Sequence, residues 1–226
     1  MRTTKLFFTA IMLALTAIAA NAQPVDFQVP LKRGNALVAQ EKYKEAIEEY
    51  NKVTNRAAEL YAQATYNIGV CRYELWQTEE AIDFYQRAIE LKHGYYPKAS
   101  YALGIALEEQ DQIAAAKTAY EQAVSASRRE FAPAIYRLGL IEAKTADFKK
   151  AAALFKEAAS HKGPHLPASH NNLGVMLARL GFLVEAENEF VIALKLSHGQ
   201  LHEAALNLNL CHSLGAAVSQ DWRPTQ

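Results

Sequence analysis

The sequence predicts an all-α fold, a solenoid of stacked antiparallel helix pairs, on three observations. Five glycines, Gly34, Gly69, Gly104, Gly139 and Gly174, stand 35 residues apart. Twelve residues after each comes an alanine: Ala46, Ala81, Ala116, Ala151 and Ala186. Four residues further on comes an aromatic, Tyr50, Tyr85, Tyr120, Phe155 or Phe190. The chain has ten glycines, so half of them share one ruler. A fixed period of about 20 to 50 residues marks one supersecondary unit stacked on copies of itself.

One period shows how each unit is made. Pro97 opens a helix, where a missing N–H costs nothing. Ser100 to Glu109 is apolar at three- and four-residue spacing, which reads as a first helix. Asp111-Gln112 breaks the pattern, and Ala115 to Val124 resumes it with Ala116, Ala119, Tyr120 and Ala123 on one face. Glycine and alanine on the ruler remove bulk where the two helices cross, and the aromatic is expected to fill the gap towards the next unit. The units are 27–61, 62–96, 97–131, 132–166 and 167–201, with Pro133 and Pro167 at matching helix starts. Leu201 to Leu214 is amphipathic, and Leu208-Asn209 falls on the ruler. Residues 202–215 therefore read as a closing helix, ended by Gly215 and followed by a loose tail, 216–226.

The first residues follow a different logic. Arg2 and Lys5 precede an apolar run from Leu6 to Ala20, and Ala20-Asn21-Ala22 places small residues around a cut. This is the three-part form of a secretory signal peptide (1–22), cleaved before Gln23 and followed by a short linker, 23–26. An uncleaved anchor would need about 20 apolar residues, more than the run supplies. The expected location is therefore periplasmic or secreted, with no stable membrane insertion after cleavage. Export permits disulfides, but Cys71 and Cys211 lie four whole periods apart. Four helix-packing steps of about 8–10 Å each separate them far beyond the reach of a bridge. Both are expected to be free and buried.

The 24 basic and 24 acidic residues give no net field, so nucleic acid is an unsuitable partner. No phosphate loop, nucleophile elbow or Cys–His pair appears. His161, His165 and His170 cluster at one turn, and His198 and His202 at the next. Because His93-Gly94, Lys162-Gly163 and His198-Gly199 recur at corresponding turns, helix capping explains them better than a metal. No cofactor, metal or catalytic residue is expected.

The pairs Ile68-Gly69, Leu103-Gly104, Leu138-Gly139 and Leu173-Gly174, with their downstream alanines and aromatics, resemble the tetratricopeptide repeat from Phe27 to about Leu196. The resemblance implies a right-handed superhelix that holds a protein or peptide ligand in a groove lined by the first helix of each pair. There are departures. The period is 35 where the family has about 34. The family's early aromatic is replaced by Pro30, Thr65, Ser100, Ile135 and His170, and its closing proline by Ala58, His93, Arg128, Gly163 and His198. Arg33 stands where later units have Ile or Leu.

Carried over position by position, the groove would receive Tyr66, Tyr101, Tyr136 and Asn171 from the fifth place of successive units, with Arg137 alongside. Asn35, Asn67 and Lys98 match three of five positions of the family's carboxylate clamp; Leu31 and Ala102 occupy the other two. Glu74, Glu108 and Glu109 in the middle units and Lys144 and Arg179 in later ones would orient an elongated ligand. The expectation is a non-enzymatic, exported scaffold, monomeric, within a cell-envelope complex. The alternative is a structural module that self-associates through exposed apolar residues such as Trp76 and Trp222.

Overall fold

The computed structural model describes residues 26–221, with side chains to Leu214. The expected signal peptide 1–22, most of the expected linker and Trp222 lie outside the described residues. Eleven α-helices follow one another among the described residues: α1 (Gln28–Val38), α2 (Tyr43–Tyr50), α3 (Ala58–Glu74), α4 (Thr78–Leu91), α5 (Pro97–Glu109), α6 (Ile113–Ala126), α7 (Ala132–Lys144), α8 (Phe148–Ala159), α9 (Leu166–Arg179), α10 (Leu183–Leu196) and α11 (His202–Asp221). No strand occurs among the described residues. Each helix packs on its successor, and first helices also touch across a unit, α1 on α3, α3 on α5 and α9 on α11. Sequence neighbours are thus space neighbours throughout, as a solenoid requires.

The ruler residues have one shared task, and it differs from the expected one. A Cβ built on Gly69 would lie 2.8 Å from the ring of Tyr85; on Gly139, 2.7 Å from Phe155; on Gly174, 2.6 Å from Phe190. Gly34 and Gly104 meet Tyr50 and Tyr120 in the same way. The aromatic therefore lies on the glycine of its own unit, sixteen residues back, rather than chiefly filling the space towards the next unit. Ala46, Ala81, Ala116, Ala151 and Ala186 are all fully buried beside these rings. Two of the three ruler tyrosines use their hydroxyls. Tyr50 donates to Asn35 Oδ1 at 2.8 Å and Tyr120 to Glu108 at 2.9 Å.

The turns obey a second rule. Two or three residues past the end of each first helix, Glu41, Trp76, Asp111, Ala146 and Gly181 have φ between +59° and +88°. The N–H of the next residue then reaches back to the helix, as Gln112 N–H to Leu107 C=O at 2.9 Å. After α4 the pair His93 and Gly94 takes φ of +50° and +85°; their N–H groups donate to Glu90 and Ile89, both at 2.9 Å. This is a Schellman closure, and it is what these His-Gly pairs supply. Only Gly181, among the five intra-unit turns, meets the left-handed demand at no steric cost. Trp76 meets it while 91 % exposed.

Two further outcomes concern the ends. Helix α11 does not stop at Gly215 but runs on to Asp221. Ala216 to Asp221 contains no proline, and a glycine inside a helix costs only about 1 kcal/mol, too little to end it. Cys71 and Cys211 are free and buried, and burial raises the Cys71 thiol to about 11. Arg33 lies exposed on the outer side of α1, while Leu31 and Gly34 face α2, so the substitution costs the first unit no core contact.

One buried charge joins units three and four. Glu142 on α7 is 5 % exposed and accepts from Lys117 at 2.7 Å and Lys150 at 2.8 Å. Hydrogen bonds from Lys117 and then Lys150 hold its carboxyl below the ordinary 4.5. A folded-state pKa below the unfolded one adds stability above the unfolded value, which is lost as pH falls through the folded value. Glu142→Gln is therefore expected to cost about 1–2 kcal/mol at pH 7. The gap between variant and wild type should narrow in urea unfolding below about pH 4. An equal gap at both pH values would remove Glu142 from the account.

Candidate interaction face

Six polar contacts join the first helices to one another and so define one continuous face along the array. Asn67 Nδ2 donates to Asn35 Oδ1 at 3.0 Å, between α3 and α1. The Tyr73 hydroxyl donates to Glu109, between α3 and α5. Arg137 and Lys144 on α7 each stand 3.6 Å from Glu108 on α5. Asn172 Nδ2 donates to the Tyr136 hydroxyl at 3.1 Å, and Asn207 Nδ2 to Asn171 Oδ1 at 3.0 Å. Between these bonds lies a row that sequence reasoning passed over. Val70, Ile105, Leu140 and Val175 are half-buried and in identical register, and Leu210 continues the row exposed. The signal was their 35-residue spacing, hidden because isolated aliphatic residues in a helix read as ordinary core.

The three tyrosines sit beside this row but are not free to move. Tyr66 packs on Tyr85 and Tyr96, with ring centroids 5.9 and 5.3 Å apart. Tyr101 packs on Tyr120 and Phe131 at 5.8 and 5.4 Å, and Tyr136 on Phe155 at 5.6 Å. Burial raises the Tyr66 hydroxyl above its usual range. Each tyrosine is thus half core and half surface, a rigid aromatic with one edge open.

The remaining predicted residues divide. Asn35 and Asn67 come together, as the clamp resemblance implies, but they hydrogen-bond each other and Leu31 is buried. Lys98 instead lines a concavity of about 400 Å³ with Gln63, Lys92, Tyr95, Tyr96 and Phe131. Its exposed Tyr95 lies in a turn and off the ruler, which is why the sequence pattern did not pick it out. Asn171 is a correction: it is 7 % exposed, donates to Asn172 at 3.2 Å and accepts from Asn207. The closing helix covers it, and its amide belongs to the seam between α9 and α11 rather than to a binding surface.

The charges along the face are polarised. Exposed Glu74 and Glu109 occupy its middle, while Lys144 and Arg179, in the same register, carry positive charge towards α11. The Arg179 guanidinium is held 5.8 Å over the Phe148 ring. Among the described residues, no group of three or more His, Cys, Asp or Glu is arranged to hold a metal ion. None of the described helices is long and apolar enough to cross a membrane.

A family profile described as tetratricopeptide repeat matches residues 31–95, 101–167 and 136–199. The chain belongs to the tetratricopeptide repeat family, whose fold is a helical scaffold for protein interaction. Similar solved structures include MamA, 24 % identical over 73 % of this chain and 94 % of that one, with a TM-score of 0.61. MamA of Desulfovibrio magneticus RS-1 is 21 % identical over 80 % of this chain and 99 % of that one, also at 0.61. YrrB, titled a TPR protein with an unusual peptide-binding site, is 21 % identical over 84 % and 95 % at 0.58. At these identities the likeness is one of fold. No curated protein sequence matches the chain.

Proposed function

We propose that this protein is a non-enzymatic, exported scaffold that binds a protein or peptide along the face of its first helices, within a cell-envelope complex. The observation that carries the reading is the aliphatic row Val70, Ile105, Leu140, Val175 and Leu210, flanked by rigid tyrosines and by charge of opposite sign at its two halves. Apolar contact supplies affinity, and polarised charge sets the direction in which an extended ligand lies. YrrB, a protein of similar fold, is described as having an unusual peptide-binding site, which supports a peptide as the ligand class. Export rests on the leader before Gln23 and is checked by N-terminal sequencing of the exported chain.

The deciding experiment is a pull-down from envelope extract with wild type and Ile105→Asp. A charge placed in the row should lower capture at least tenfold while circular dichroism and melting stay near wild type. Undiminished capture would refute the groove reading. Tyr101→Ala with Tyr136→Ala is the weaker test, because both rings also support the fold. The second reading, self-association, is favoured by the exposure of Trp76, Val184 and Leu206. Light scattering across a concentration series separates it: a monomer throughout removes it.

A further inference from the structure

The row of aliphatic side chains ends in a distinct concavity of about 340 Å³. Val175 and Ala178 on α9, Phe190 on α10, and Leu210 and Leu214 on α11 form its walls, with Arg179 at its rim. It lies between the first helix of the fifth unit and the last described helix, α11. In earlier units an aromatic from the second helix lies on the ruler glycine; here the ruler position is Asn209, exposed, and Leu206 and Leu210 are 69 % and 60 % exposed.

Three features of this concavity specify what fits it. Its walls are apolar, and its volume is at the low end for a ligand pocket, the size of one or two side chains. Its charge has one sign: Arg179 lines it, no acidic side chain does, and among the described residues no carboxylate pairs with Arg179. The guanidinium stands 5.8 Å over the Phe148 ring, a cation–π contact that restricts it before it takes a partner. Asn207 also lines it, donating a side-chain N–H to Asn171 Oδ1 at 3.0 Å, and among the described residues its side-chain oxygen accepts no hydrogen bond.

We infer that the α9–α11 concavity is a docking site for a peptide segment in which an aliphatic side chain is followed closely by a carboxylate. The aliphatic group enters between Val175, Phe190 and Leu210, and the carboxylate pairs with the Arg179 fork. Lys144, next along the same register, is exposed and only loosely paired with Glu108 at 3.6 Å, so it adds positive charge that favours further acidic residues in the segment. This inference rests on the groove reading and adds the ligand's chemistry and its anchoring end.

The test is selection of a random dodecapeptide library on the full chain, then fluorescence anisotropy with the selected peptides. The expected consensus pairs Leu, Ile, Val or Met with Asp or Glu within two residues. Leu210→Asp and Arg179→Glu should each weaken binding at least tenfold, and replacing the peptide's acid by its amide should weaken wild-type binding but not Arg179→Glu. Peptides lacking the acid, or bound equally by both variants yet lost with Ile105→Asp, would overturn this inference and leave the groove reading standing. If no peptide is selected, both fall. If Leu210→Asp only converts a dimer to a monomer and leaves peptide affinity intact, the face is a contact between copies and the inference fails.

Discussion

Phe155→Ala should destabilise the fold by about 3–5 kcal/mol, the range for emptying a well-packed aromatic site. The ring is fully buried. It lies on Gly139, packs tilted against Tyr136 with centroids 5.6 Å apart and shares its apolar cluster with Ala151, Leu173 and Met176. It therefore touches its own first helix and the next one, and its loss loosens both the unit and the interface between units. In a stacked array, stability is a sum of unit and interface contributions, and this residue enters both. Urea unfolding followed by circular dichroism measures the change. A cost under about 1 kcal/mol would mean that the ring is not the keystone its contacts imply.

Gly104→Leu should also be destabilising, for the converse reason. Glycine inside a helix is disfavoured by about 1 kcal/mol, so a larger residue there ought to help. Here the first added carbon would fall on the Tyr120 ring, 2.6 Å from one of its carbons. Tyr120 cannot swing aside: it is fully buried, its hydroxyl is bonded to Glu108, and its ring faces Tyr101. Overpacking of this kind costs about 1–3 kcal/mol, and a leucine carries three further carbons into the same space. The explanation has its own control. Gly104→Ala should destabilise wild type but become neutral or favourable in a Tyr120→Leu background, a coupling readable from a double-mutant cycle. Additive effects would show that the glycine is there for some other reason.

The helix pairs and their period were legible because the constraint is steric and recurs: a glycine, an alanine and a ring must coincide in every unit, so the pattern survives in single letters. What the glycine clears space for was not legible, since spacing alone does not say whether a backbone or a ring approaches. The left-handed turns were hidden for a related reason. Glu41, Trp76, Asp111 and Ala146 all adopt the conformation, yet only Gly181 advertises it. The final unit was misread at Asn171 because register assigns a residue to a face without saying whether a later helix will cover it. Tyr95 escaped because turns lie off the helical period, so no repetition marks them.

The pairing of each ring with a glycine sixteen residues earlier has a consequence for how the chain responds to force. Every lock closes within a single helix pair, and among the described residues no element ties the first unit to the last. Under tension applied at the termini, pairs can detach from an end one after another, giving a low, stepped extension rather than one abrupt rupture. On release, the shortest loops close first, so recoil should be fast and tolerant of interruption.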